Sequence, residues 1–269
     1  MILSADAIWK LLTAVRERQP LVHNITNFVA MNNTANALLA LGASPAMIHS
    51  SDEVEDFVAI SQALVVNIGT LYSEQIAASK LAAMRAHALG IPWILDPVGA
   101  GATPYRRAAA NALARLEPSV IRGNGSEIIT LMEQTQSGQG RGVDSLHGSE
   151  TALDAARRLA ADTKAVVAIT GAVDYVTDGR RVAAIENGHP LMARVTGLGC
   201  SATAVTGACL AVEPNAFAAA VAGLAVFGVA GEIAAERSPG PGTLQVTLLD
   251  ALYALDEATL KTRLRARIG

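Results

Sequence analysis

The chain has 269 residues, 51% of them hydrophobic, with a formal charge of −3 and a pI near 6.0. That length and apolar content suit one α/β domain over residues 1–269 with a large buried core, and the faint acidity gives no basis for a nucleic-acid or anionic-membrane partner. Two cysteines, Cys200 and Cys209, exclude a disulfide framework. The start, Met1-Ile2-Leu3-Ser4-Ala5-Asp6, lacks the basic and apolar regions of a secretory signal, so a cytoplasmic location is expected.

Ile8, Leu11, Leu12 and Val15 recur at helical spacing and predict an amphipathic helix over Ala5 to Arg18. Thr34 to Leu41 predicts a second, stopped by Gly42. Short β-rich runs then alternate with helical ones. Leu64 to Ile68, Trp93 to Leu95, Ser119 to Ile121 and Ala165 to Ile169 read as strands; Glu74 to Leu89, Arg106 to Leu116 and Ser149 to Ala161 read as helices. Such alternation predicts a parallel sheet covered by helices on both faces. Tyr175 to Thr177, Asp178-Gly179 and Arg181 to Glu186 read as a hairpin. Helices follow over Ser201 to Val212, Asn215 to Glu236 and Thr243 to Leu255, with Pro239 to Gly242 as a loop. Ala216 to Gly231, uncharged but too short to span a bilayer, reads as a buried helix. Lys261, Arg263, Arg265 and Arg267 read as one helix end meeting its own dipole. Gln134 to Gly148, rich in glycine and polar residues, reads as a surface loop.

Each expected strand ends in polar or glycine residues: Asn67-Ile68-Gly69-Thr70, Asp96-Pro97-Val98-Gly99, Arg122-Gly123-Asn124 and Thr170-Gly171. In an open parallel sheet, ligands bind beyond the carboxyl ends of strands, so these tails are expected to line one cleft. Gly197-Leu198-Gly199-Cys200 adds a helix N-terminus with close backbone access, a site suited to phosphate or, equally, a glycine turn feeding a core helix. Arg122 and Asn124 suit phosphate oxygens and Glu127 a hydrated Mg²⁺, although Arg122 has Glu127 or Asp96 as alternative partners. Asp96 is equally a metal-binding carboxylate or a turn starter before Pro97. Thr170-Gly171 offers a hydroxyl and close backbone to a nucleotide phosphate, or is only a turn. His23, Asn24, Thr26 and Asn27 are groups for a small polar heterocycle or plain helix caps, and Met47 is a soft surface for a ring or a core residue. No G-x-x-x-x-G-K-[ST] is present, no G-x-G-x-x-G follows the first expected strand, and the five histidines have no metal-ligand spacing.

Taken in order, Val22-His23-Asn24-Ile25-Thr26-Asn27, Gly42-Ala43-Ser44-Pro45-Ala46-Met47, Asp96-Pro97-Val98-Gly99-Ala100, Ile121-Arg122-Gly123-Asn124 and Val195-Thr196-Gly197-Leu198-Gly199-Cys200 give a chain that resembles the hydroxyethylthiazole kinases over almost its whole length. The resemblance implies a ribokinase-like fold, phosphorylation of 4-methyl-5-(2-hydroxyethyl)thiazole with ATP and Mg²⁺ in thiamine salvage, and a homotrimer with active sites between subunits. It implies that Met47 and Gly197, with Asn24 and Asn27 nearby, meet the thiazole. By the same resemblance Arg122, Thr170, Asn124 and Gly199 bind ATP, and Asp96 and Glu127 sit near the metal. Cys200 stands in the catalytic position, where related sugar kinases carry an aspartate base. Leu198 departs from the small polar residue expected between the two glycines. A helix N-terminus is expected to lower the Cys200 pKa and leave some thiolate near neutrality. The alternatives are a hydroxymethylpyrimidine or pyridoxal kinase of the same fold, a non-catalytic nucleotide-binding regulator, and a cysteine hydrolase, the last lacking a histidine placed to serve Cys200.

Overall fold

The computed structural model describes residues 4–135 and 148–269. Residues 136–147, the centre of the expected surface loop, lie outside the described residues. Helix α1 (Ala5–Arg18) is capped by Ser4 and buries the predicted Ile8, Leu11, Leu12 and Val15 stripe. There follow β1 (Leu21–Ile25), α2 (Met31–Leu41), β2 (Ser44–Ala46), α3 (Val54–Ile60), β3 (Ala63–Asn67), α4 (Ser73–Leu89), β4 (Trp93–Asp96), α5 (Pro104–Ala114), β5 (Val120–Asn124), α6 (Gly125–Thr135), α7 (Gly148–Thr163) and β6 (Val166–Thr170). Strands β7 (Asp174–Thr177) and β8 (Val182–Ile185) form the expected hairpin. A 3₁₀ turn (Pro190–Arg194) leads to α8 (Leu198–Leu210), α9 (Ala216–Glu236), α10 (Pro241–Ala254), α11 (Glu257–Arg263) and β9 (Ala266–Ile268).

Among the described residues the strands make one nine-stranded sheet in the order β2-β1-β3-β4-β5-β6-β7-β8-β9. The first six pair in parallel, as expected for the four of them read from the sequence, β3 to β6, while β7, β8 and β9 add an antiparallel edge. Alternate strand residues separate two cores. Val22, Val65, Ile94 and Val120 pack with α1, α2, α8 and α9 on one face. Ile25, Val66, Leu95 and Ile121 pack with α3 to α7 on the other. Strands buried on both faces lose the polar alternation of a surface sheet, which is why they read as apolar runs.

Some elements have no such signal. β1 carries His23 and Asn24 in its middle, and β2 is three residues built around Pro45, so neither forms an apolar run; tertiary pairing makes them strands. The basic C-terminal residues do not form one helix end: Lys261 and Arg263 close α11, whereas Arg265 precedes β9, Arg267 lies in it, and they pair with Glu232 and Glu186. Helix α9 has 21 residues and is long and apolar enough to cross a membrane, but 83% of its apolar window is buried inside the fold. Burial on nearly every side, rather than a short length, explains its composition.

Small residues let α8 and α9 approach closely. A Cβ on Gly223 of α9 would stand 2.7 Å from the Thr206 Cα of α8, a backbone atom that cannot rotate away, whereas one on Gly242 would meet nothing within 4 Å. Gly223→Ala is therefore expected to cost about 1–3 kcal/mol through overpacking, despite a helix-propensity gain of about 1 kcal/mol. Gly242→Ala is expected to be neutral or stabilising. Thermal denaturation of the two variants checks the difference, and equal Tm values would mean the α8–α9 contact relaxes freely.

Candidate active site

The chain leaves β1 to form β2 on one side and returns across it to form β3 on the other, so the strand order reverses at the β1/β3 boundary. Ligand clefts open at such a boundary, beyond the carboxyl ends of the strands. The expected polar tails all meet there, and they are tied together more closely than their sequence spacing suggests.

Asp96, at the end of β4, is fully buried. Its Oδ2 accepts hydrogen bonds from Asn67 Nδ2 at the end of β3 and from Thr203 Oγ1 on α8, both at 2.7 Å. Arg122 Nη1 lies 3.9 Å from the same oxygen. Among the described residues Asp96 Oδ1 has no hydrogen-bond partner. Burial pushes the Asp96 carboxyl up to about 6, against the opposing pull of Arg122 and of its hydrogen bonds. Asn67 Oδ1 accepts from Asn27 Nδ2 at 2.8 Å, and that same nitrogen reaches Cys200 Sγ at 3.2 Å. A continuous path of polar contacts thus runs from Cys200 through Asn27 and Asn67 to Asp96 and Thr203.

Helix α8 begins above this path. Gly197 caps it with φ of 80° and no side-chain hydrogen bond, which leaves the first-turn N–H groups for a ligand. A Cβ on Gly197 would lie 3.2 Å from Ala30 Cβ, and one on Gly199 would lie 3.0 Å from Arg122 Nη1. Glycine at both positions lets the turn seat against α2 and brings the guanidinium close to the helix N-terminus. Two positive features at such close range favour an anion between them. Beside them lies a cavity of about 500 Å³ whose lining includes the polar Arg122, Thr170 and Asp174 and the apolar Met192, Leu224 and Phe227. Leu198, the departure between the glycines, is buried and also lines this cavity.

The expected effect of the helix on Cys200 does not hold. Burial, followed by the negative charge of Asp96, raises the thiol to about 11 despite the Asn27 hydrogen bond and Arg122. Desolvation of the thiolate is the largest cause, and Cys200 is a neutral thiol near pH 7.

Other expected residues carry structural tasks. Asn24 is buried on the same face of the sheet as Asn67 and Asp96, and its Nδ2 donates to Val22 O on its own strand. Asn124 and Glu127 form a capping box on α6, in which Asn124 Oδ1 accepts from Glu127 N at 3.0 Å and Glu127 Oε2 accepts from Asn124 N at 2.8 Å. The other carboxylate oxygen, Oε1, accepts from Gly99 N at 2.8 Å, joining the β4 and β5 tails. Thr170 lines the cavity, and Met47 follows β2 half-buried. Sequence reasoning missed the tasks of Asn67, Thr203, Asp174 and Arg106. Arg106 Nη1 and Nη2 hold the carbonyls of Ile68, Val98 and Gly69 and so fix two tails at once. Thr203 had a signal, since it stands one helical turn after Gly199; Arg106, on a surface-type helix, had none.

A doubly covered sheet with polar strand ends, an open helix N-terminus and an adjoining cavity fits the ribokinase-like class of fold. The pyridoxal kinase from Staphylococcus aureus in complex with ADP shares this fold, with a TM-score of 0.61 at 17% identity, covering 79% of this chain and 88% of that one. Similarity elsewhere is much closer. The hydroxyethylthiazole kinase structure from Pyrococcus horikoshii matches with a TM-score of 0.92 at 44% identity over 98% of this chain and 99% of that one. The hydroxyethylthiazole kinase of Granulibacter bethesdensis is 56% identical over 255 residues, 95% of this chain and 92% of that protein. The model of the hydroxyethylthiazole kinase family matches residues 12–258, and the chain belongs to that family.

The raised pKa of Asp96 has a consequence for stability. Ionising it costs the folded chain more than the unfolded one, so the penalty is absent below the ordinary value of 3.8 and complete above about 6. Asp96→Asn removes that penalty. In metal-free buffer, the Tm of Asp96→Asn relative to wild type should rise from pH 4 to pH 7, by the equivalent of about 2 kcal/mol. A difference that stays flat across this range would show that Asp96 titrates as an ordinary carboxylate.

Proposed function

We propose that the chain transfers the γ-phosphoryl group of ATP to the hydroxyl of 4-methyl-5-(2-hydroxyethyl)thiazole, with Mg²⁺, giving the thiazole phosphate used in thiamine diphosphate salvage. One ribokinase-like domain over residues 1–269 would carry this activity in the cytoplasm. The observation that carries the reading is the approach of the Arg122 guanidinium to the glycine-lined N-terminus of α8, directly over Asp96. A transferring phosphoryl group placed there meets backbone N–H groups on one side and a guanidinium on another. Phosphoryl transfer of this kind depends mainly on positioning and charge stabilisation.

Arg122, Thr170 and Gly199 are assigned to ATP, with the nucleoside directed along the cavity toward Met192, Leu224 and Phe227. Asn124, whose carbonyl oxygen is committed to the α6 cap, has its amide nitrogen to offer a phosphate. Met47 and Gly197 are assigned to the thiazole, and Asn27 forms the wall that carries Cys200. The unpartnered Asp96 Oδ1 fits a cation, and Glu127, both of whose oxygens already accept backbone N–H groups, fits one held through water. Bound there, Mg²⁺ would supply neutralisation of phosphoryl charge. The assembly that goes with this reading is a homotrimer with sites between subunits. Its support is that the exposed Val29, Leu39 and Val246 lie at or on α2 and α10, helices joined by the Gln245–Asn33 hydrogen bond beside the Gly197 turn.

A coupled assay of ADP release tests the function. Hydroxyethylthiazole should be turned over with ATP and Mg²⁺, and hydroxymethylpyrimidine should be a poor substrate. Equal or greater kcat/KM for the pyrimidine alcohol would reverse the assignment.

Because the thiol of Cys200 is neutral at working pH, it is a weak base at most, and a loose transition state does not need early removal of the alcohol proton. Cys200→Ala should therefore lower kcat by no more than about 10²-fold, the low end for loss of a general base. Measured kcat across pH 6 to 9 on folded variant decides the matter, and complete loss of turnover would give the sulfur a covalent or other specific role.

A further inference from the structure

We propose that His23 and His49 form a two-point pin that fixes the Met47 segment against the end of β1, and that this pin is a determinant of affinity for the ring of the alcohol substrate. The inference rests on the reading above that Met47 contacts the thiazole. The parallel ladder between β1 and β2 stops at the pair His23–Ala46, one residue before Met47. Beyond it, two imidazoles take over the work of backbone hydrogen bonds. His23 Nε2 bonds Ile48 O at 2.9 Å, and His49 Nε2 lies 3.1 Å from Thr26 N and 3.0 Å from Thr26 O.

The partners assign opposite tautomers to the two rings. A carbonyl oxygen only accepts, so His23 carries its proton on Nε2. Its buried ring is set edge-on against Phe57, 5.2 Å between centroids at 65°, and burial lowers it to about 4, so it is neutral at working pH. Thr26 O already accepts from Gln75 Nε2 at 3.1 Å, whereas the buried Thr26 N–H beyond the end of β1 needs an acceptor. His49 Nε2 supplies it and carries its proton on Nδ1.

Ala46 is thus held by the ladder, and Ile48 and His49 by imidazoles, which brackets Met47 on both sides. The anchoring residue Thr26 adjoins Asn27, whose amide nitrogen contacts Asn67 and Cys200. The pin therefore fixes the Met47 wall of the pocket relative to the wall that carries the reacting end of the alcohol. Both histidines are positioning residues; neither is placed on substrate.

The test compares His49→Leu, His49→Gln, His23→Leu, His23→Gln and Met47→Ala, each assayed for KM of hydroxyethylthiazole, KM of ATP, kcat and Tm. Glutamine places its amide where the imidazole Nε2 lies and presents either an acceptor or a donor, so it replaces each bond. The leucine variants should raise the KM for the thiazole alcohol about 5- to 10-fold, the scale of one lost hydrogen bond, with the KM for ATP within about 2-fold of wild type. The glutamine variants should recover most of that loss. If His23→Leu does not fold, the His49 pair and His23→Gln decide the outcome. An equal rise in both KM values, no rise in either, or failure of glutamine to recover the loss overturns the pin. If Met47→Ala leaves the thiazole KM unchanged while wild type turns the alcohol over, the placement of Met47 falls and the proposal with it. If Met47→Ala raises that KM and His49→Leu does not, the pin alone falls.

Discussion

A carboxylate at the base of the cleft constrains much of what surrounds it. Asp96 is fully buried, and an ionised group removed from water is costly unless donors and countercharge replace its hydration. Here the replacements come from separate parts of the chain: Asn67 from β3, Thr203 from α8 and Arg122 from β5. The carboxylate thereby fixes α8 relative to the strands. Compensation is incomplete, since Oδ1 has no partner and the pKa stays raised. A core built for stability alone would fill that position with a hydrophobic residue; a buried, incompletely compensated acid near a helix N-terminus is a feature expected of a functional site.

Around this group, backbone loops that have no regular structure are held by side chains. Arg106 holds three carbonyls from the β3 and β4 tails, Glu127 holds N–H groups from the β4 and β5 tails, and Asp174 Oδ1 holds Gly171 N after β6. These bonds tie the β3, β4 and β5 tails to one another and brace the loop after β6 from within. Phosphoryl transfer depends on positioning, so such ties have direct chemical value. Glu127 serves two levels: Oε2 caps α6, and Oε1 holds Gly99 N and so shapes the rim where a hydrated cation would fit.

Electrostatics at the N-terminus of α8 show two opposing effects meeting in one residue. Arg122 and the hydrogen bonds from Asn27 and Asn67 favour a thiolate at Cys200, while burial and Asp96 oppose it more strongly. The same N-terminus remains effective toward a phosphate, which brings its own charge and reaches the backbone N–H groups directly. An anion-binding site and a poorly acidic thiol are therefore compatible within one turn of helix.

Local pattern determined a good deal. Apolar runs at strand spacing and periodic helices were enough for a doubly covered parallel sheet, because strands buried on both faces must be apolar. The polar tails after those runs were enough to place a cleft, and five ordered motifs were enough for the family. What the sequence did not contain was the partner of each polar residue. Asn67, Thr203 and Asp96 lie 29 and 107 positions apart along the chain, measured from Asp96, and only strand order brings them together. β1 and β2 had no apolar signature, since pairing with β3 and with each other makes them strands. Asn24, read as meeting a ligand, lies on the same face of the sheet as Asn67 and Asp96 but gives its amide nitrogen to Val22 O of its own strand, a bond that spacing does not reveal. The acidity of Cys200 was likewise decided by burial, a property of the packed whole that one stretch of helix does not encode.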